Sequence, residues 1–151
     1  RRSLYTYWRR TTPPPSMILF DSPDRNFCAV TREATSTPLQ ALVLLNDIQF
    51  VEAAKIFAQN LLIGKGKTDE ERLKTAFRMA TARYPSEKEL AKLLNLLITS
   101  RHDFEQNQDS VNKLLAYGEH PIEKEVNPLQ LASYTVVLSA ILNLDETISK
   151  G

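Results

Sequence analysis

Residues 128–144 read Pro-Leu-Gln-Leu-Ala-Ser-Tyr-Thr-Val-Val-Leu-Ser-Ala-Ile-Leu-Asn-Leu, with no charged side chain among them. Asn127 before Pro128, with Gln130 three positions on, is a helix start: a capping side chain, then proline at the first helical position. The helix it opens has almost no polar face, because Leu129, Leu131, Ala132, Tyr134, Val136, Val137, Leu138, Ala140, Ile141, Leu142 and Leu144 share the cylinder with few polar residues. A helix apolar nearly all round belongs inside a bundle. It is too short to span a bilayer and is interrupted by Ser133, Thr135, Ser139 and Asn143. This one stretch predicts an all-α fold, a bundle of five to seven helices built around a buried C-terminal helix.

The preceding helices follow from the same signals. Thr37-Pro38 with Gln40, Thr68 with Glu71, and Ser86 with Glu89 are capping-box patterns. Asp47 is placed to cap a helix from Ile48 to about Leu62, with Val51, Ala54, Phe57, Ala58, Leu61 and Leu62 inward and Glu52, Lys55, Gln59 and Asn60 on other faces. Gly64 is its expected left-handed stop. The next helix buries Leu73, Ala76, Phe77 and Ala80 and pairs Glu70 with Lys74 outside. The one after carries Leu90, Leu93, Leu94, Leu97 and Ile98 on one side. A shorter helix is expected from about Asp109 to Tyr117. The apolar set Leu39, Leu42, Val43 and Leu45 follows the Thr37 cap.

Residues 1–37 differ in kind. Pro13-Pro14-Pro15 and Pro23 predict an irregular or extended arm, leaving 38–151 as the helical bundle. Six arginines against Asp21, Asp24 and Glu33 give the arm a charge of +3, so a chain of net charge +1 leaves −2 for the remainder. A nearly neutral chain with a slightly acidic body offers no broad polyanion surface, which disfavours nucleic acid as a partner. One cysteine and two histidines among 151 residues exclude an internal disulfide, a multi-cysteine zinc site and a Cys-x-x-Cys-His haem attachment. No apolar run is long enough to cross a membrane, no targeting signal is visible, and no metal site or cofactor is expected in this stretch.

The chemistry-bearing residues cluster in the arm. Arg2, Tyr5 and Trp8 mix guanidinium and aromatic groups. Such a mixture suits a strand or helix packed on the bundle, an acidic partner, a sugar, or a single-stranded nucleic acid. Asp21 and Asp24 could form a turn, pair with arginine, contribute to a calcium site or divide acid and base roles. The acids, glycine and distal glutamate of an EF-hand are absent. Arg25 and Arg32 flank Cys28 and would lower a thiol pKa, but the arm holds no histidine, and a partly buried, unreactive Cys28 is expected. Arg32 could clamp Asp21 or Asp24. His102 and His120 are expected at the surface. No catalytic residue is assigned.

Arg-Arg-Ser-Leu-Tyr-Thr at 1–6, Thr12-Pro13-Pro14-Pro15, Phe20-Asp21-Ser22-Pro23-Asp24-Arg25, Cys28, Arg32, and Thr37 through Asp47 form a signature, joined by Leu142-Asn143-Leu144-Asp145-Glu146. It resembles the C-terminal domain of unknown function of planctomycete-type, cytochrome-associated proteins. The resemblance implies a large exported bacterial protein, in the periplasm or on the cell surface, of which this chain is a C-terminal piece. Any haem would sit in an upstream domain. The clustering of unusual residues in the arm, set in that context, leaves two readings of function, and the resemblance itself carries over no activity. In the first, the chain is a non-enzymatic interaction domain that docks through its arm on the upstream domains or a redox partner. In the second, it supplies Asp21, Asp24, Arg25 or Arg32 to a site shared with the preceding domain, acting on exported polysaccharide.

Overall fold

The structure is a computed structural model that describes residues 6–9, 12–23, 28, 30–31, 35–64 and 68–148. Regular structure among them is helical: α1 (Pro15–Leu19), α2 (Pro38–Asn46), α3 (Ile48–Ile63), α4 (Asp69–Thr81), α5 (Glu87–Gln106), α6 (Gln108–Leu115), α7 (Pro128–Leu142) and α8 (Asp145–Ile148). A single antiparallel bridge joins Arg9 and Thr12. The all-α class is as the sequence predicts. The chain forms two compact units, residues 1–42 and residues 43–151.

In the second unit α7 is central. It packs against α3, α4, α5, α6 and α8, and Leu131, Ala132, Tyr134, Val137, Leu138 and Ile141 are fully buried. Burying each large aliphatic among them contributes roughly 1.5–3 kcal/mol before entropy is subtracted. Its buried hydroxyls are satisfied internally: Ser133 Oγ donates to the Leu129 carbonyl at 2.8 Å and Thr135 Oγ1 to that of Leu131 at 2.7 Å. The surrounding helices supply Ala58, Leu73, Ala76, Phe77, Leu97, Val111 and Leu115 to the same core.

The helix starts lie where the capping residues predict. Asp47 accepts from Gln49 N, Thr68 from Glu71 N, and Asn127 from Leu129 N and Gln130 N. Ser86 and Glu89 form the full reciprocal box. Asn107 caps α6, two residues before the expected start.

Five local expectations need correction. α3 stops at Gly64, but with φ −63° and ψ 155°, an extended conformation and not a left-handed one. Pro15 does not prolong an extended arm. It occupies the first position of α1, where its fixed φ suits a helix and its missing N–H costs nothing. Ile98 is exposed, because α5 turns Leu90, Leu97 and Ser100 inward instead. α4, whose stop the sequence puts at Tyr84-Pro85-Ser86, already ends at Thr81, with Ala82 as a left-handed cap at φ 63°. Lys55 and Gln59 are buried, at 2% and 3% exposure. The segment after α6 covers that side of α3, so its polar residues bind backbone and not water.

Candidate functional site

Of the arm residues singled out in the sequence, Arg2, Tyr5, Asp24, Arg25 and Arg32 lie outside the described residues, and so does any Arg32 clamp on Asp21 or Asp24. Trp8 is half-buried. Cys28 is a free thiol and is exposed, not partly buried as expected. Among the described residues around it, no side chain joins the hydrophobic core.

Asp21 has a defined structural task. α1 ends in a Schellman turn: Ser22 N donates to Met17 O at 2.9 Å and Asp21 N to Ile18 O at 3.1 Å. The turn needs a left-handed residue, and Asp21 fills it at φ 55°. Aspartate tolerates that conformation better than most residues with a side chain. Its Oδ2 then accepts from Thr35 N at 2.7 Å and Thr35 Oγ1 at 2.8 Å.

Gln40 completes this knot. Its Oε1 accepts from Thr37 N at 2.9 Å, and its own N donates to Thr37 Oγ1 at 3.3 Å, the reciprocal capping box of α2. Its Nε2 donates to the Leu19 carbonyl at 2.7 Å and to Thr35 Oγ1 at 3.2 Å. One amide therefore caps the start of α2 and holds the end of α1, and it is only 2% exposed. The sequence signals half of this, the capping box. Thr35 as the joint between Asp21 and Gln40 has no sequence signal of its own.

Burying Gln40 turns leucine outward. Leu39, Leu42 and Leu45 of α2 are exposed, and so are Tyr7, Ile18 and Val30.

The second unit holds three polar clusters of its own. Arg83 donates to both carboxylate oxygens of Glu89, at 3.0 and 2.7 Å, and to both of Glu146, at 2.8 Å each. Its guanidinium also lies over the Phe77 ring at 4.8 Å. Hydrogen bonds from Arg83, with help from Ser86, hold the Glu89 carboxyl far below the carboxylate range. On α3, Glu52 accepts from Glu119 N and His120 N at 2.6 and 2.7 Å, and Lys55 Nζ donates to the Leu115 and Tyr117 carbonyls at 3.2 and 2.5 Å. Gly118 sits between them at φ 81°, where a Cβ would overlap Glu52. These bonds fix the loop leaving α6.

The third cluster centres on Asp69, the first residue of α4. It accepts from Arg101 Nη1 of α5 at 2.6 Å and from the Tyr134 hydroxyl of α7 at 2.8 Å. Arg72 Nη1 stands 3.8 Å away. The Arg101 hydrogen bond lowers the Asp69 pKa, while burial and Asp69 push Tyr134 up to about 12. A tyrosine inside an aliphatic helix is the available sequence signal, since its buried hydroxyl needs a partner. Two clefts open beside this cluster. One of about 280 Å³ is lined mainly by apolar side chains, the other of about 240 Å³ by polar ones, and Arg72 lines both.

His102 and His120 are exposed, as expected. Among the described residues no three His, Cys, Asp or Glu side chains are grouped to hold a metal ion. No helix among them is long and apolar enough to cross a membrane. No curated protein and no solved structure matches the chain. A family model does match residues 1–97, across the Asp21–Thr35–Gln40 knot and the helices up to the middle of α5, and on that match the chain belongs to the PSD1 family, described as a protein of unknown function (DUF1553).

Proposed function

We propose that this chain is a helical docking domain without activity of its own, part of a larger exported bacterial protein that carries a c-type cytochrome domain upstream. Its partner is the preceding part of the same polypeptide. The observation that carries this reading is the inverted polarity of the described part of residues 1–42. That unit buries the amide of Gln40 while Ile18 and Leu39 stand 55% and 56% exposed and Tyr7 and Val30 more so. Burying such side chains in an interface supplies the apolar driving force that folding has left unused. The knot supports the same reading, because it holds the end of α1 and the start of α2 together before any partner arrives, and a preorganised surface loses less entropy on binding. The Asp21 carboxylate is engaged by Thr35, which favours a structural role over the alternative of an acid or base in a shared polysaccharide site.

The test is titration of the chain with the preceding domain supplied separately. Ile18→Asp with Leu39→Asp should weaken association at least ten-fold, about 1.4 kcal/mol, while Trp8 fluorescence reports an unchanged fold of the first unit. Equal affinity of the double variant and the parent contradicts the reading.

A further inference from the structure

We infer that Arg72 is the anchor of a binding site for a small amphipathic carboxylate, with the carboxylate on the guanidinium and the apolar tail in the 280 Å³ cleft. This stands apart from docking, since it concerns the second unit alone.

Arg72 is an arginine short of acceptors. Its side chain is only 20% exposed, and its buried Nε has no hydrogen-bond partner among the described residues. Its only ion-pair partner within 4 Å among the described residues is Asp69, and 3.8 Å is beyond hydrogen-bond length. Asp69 is already committed: Oδ2 accepts from Arg101 and Oδ1 from Tyr134. Two guanidinium groups thus share one carboxylate, and Arg72 also faces the Tyr134 hydroxyl; its five N–H donors still outnumber these acceptors. Arginine binds carboxylates with two parallel hydrogen bonds, more strongly when water is partly excluded.

The space beside it selects the rest of the ligand. Phe57, Leu61 and Met79 line the larger cleft, with Asn60 and Thr75 as the polar groups besides Arg72. Its volume is at the small end for ligand sites, which run from about 300 Å³ upward, and so suits a short chain or one ring. Charge sets the head group. Glu125 lines the cleft on the other side of Arg72, and Asp69 stands behind it. A dianion would meet both carboxylates, whereas a single negative charge balances the surplus guanidinium.

The test is methyl and arginine-side-chain NMR of the full chain titrated with octanoate. Saturable shifts at Arg72 Nε–H, Leu61 and Met79, with a dissociation constant of about 1 mM or below, are expected. Acetate, octanol and octyl phosphate, which lack the tail, the charge and the single charge, should each bind at least ten-fold more weakly. Arg72→Gln should lose octanoate binding by at least ten-fold. Met79→Glu, at a position already 68% exposed, should repel the ligand without disturbing the fold, and decides the matter if Arg72→Gln unfolds. Absence of saturable shifts, octanol or octyl phosphate binding as well as octanoate, or unchanged affinity in a folded Arg72→Gln or in Met79→Glu would overturn the proposal.

Discussion

At the residue scale, single polar side chains do the work that sequence patterns assign to whole faces. Gln40 makes four hydrogen bonds from one buried amide residue. Gln40→Ala would leave the Leu19 carbonyl and Thr37 N short of partners, at about 1–3 kcal/mol for each buried group so deprived. The chain's single tryptophan, Trp8, belongs to the first unit, so the loss should lower the midpoint of the Trp8 fluorescence transition in urea while helical circular dichroism, dominated by the second unit, shifts less. Lys55 is the counterpart in α3. Lys55→Met removes an ammonium group bonded to two carbonyls, and should cost about 2–3 kcal/mol in a denaturant titration. Ala82 carries a Cβ at φ 63°. Ala82→Gly relieves a left-handed penalty of about 1–2 kcal/mol, partly offset by the greater freedom of glycine in the unfolded chain. A net gain of about 0.5–1 kcal/mol, seen as a higher melting temperature, is expected.

At the element scale, the helix starts and the buried face of α7 were legible because both rest on local chemistry. A Thr, Ser, Asp or Asn before the first turn caps whatever follows it, and Thr37, Asp47, Thr68, Ser86 and Asn127 all do. Two things were not legible. Periodicity tells which residues share a side of a helix, but not whether a loop will cover the polar side, so Lys55 and Gln59 read as solvent-facing when they hold the loop after α6. Periodicity also fails where α2 buries its glutamine and exposes Leu39, Leu42 and Leu45, because Gln40 is held by hydrogen bonds to Leu19 and Thr35. The Asp69 cluster joins three helices whose partners lie 32 and 65 positions away, beyond any local pattern. Its pH dependence follows from the two shifts. Asp69 titrates in the folded state below its ordinary 3.8, so its contribution is complete above that value and lost as pH falls through the lowered one. Tyr134 titrates near 12 instead of 10.0, so its contribution is complete below pH 10 and lost as pH rises through about 12. Tyr134→Phe should flatten the alkaline fall in melting temperature and cost about 1.5–3 kcal/mol at neutral pH, as for a hydrogen bond to a charged group.

At the scale of the whole molecule, the two units divide the labour. Among the described residues, those of 43–151 close around α7 and satisfy most of their buried polar groups internally, while Asp21, Thr35 and Gln40 of the first unit bind one another and Tyr7, Ile18, Val30 and Leu39 stand outside. The family match covers the whole first unit and the second as far as α5, so the knot lies within the matched part and α7 does not. The central proposal is that the first unit is the contact surface and the α7 bundle the most stable part of the chain. Hydrogen exchange of the chain, alone and with the preceding domain added, tests it in one experiment. The α7 amides from Leu131 to Leu138 should exchange most slowly in both samples, through global opening of their unit, and new protection on addition should be confined to α1, α2 and the residues between them. New protection in α3 to α7 with none in residues 12–42, or α7 amides exchanging as fast as those of α2 in the chain alone, would contradict the account.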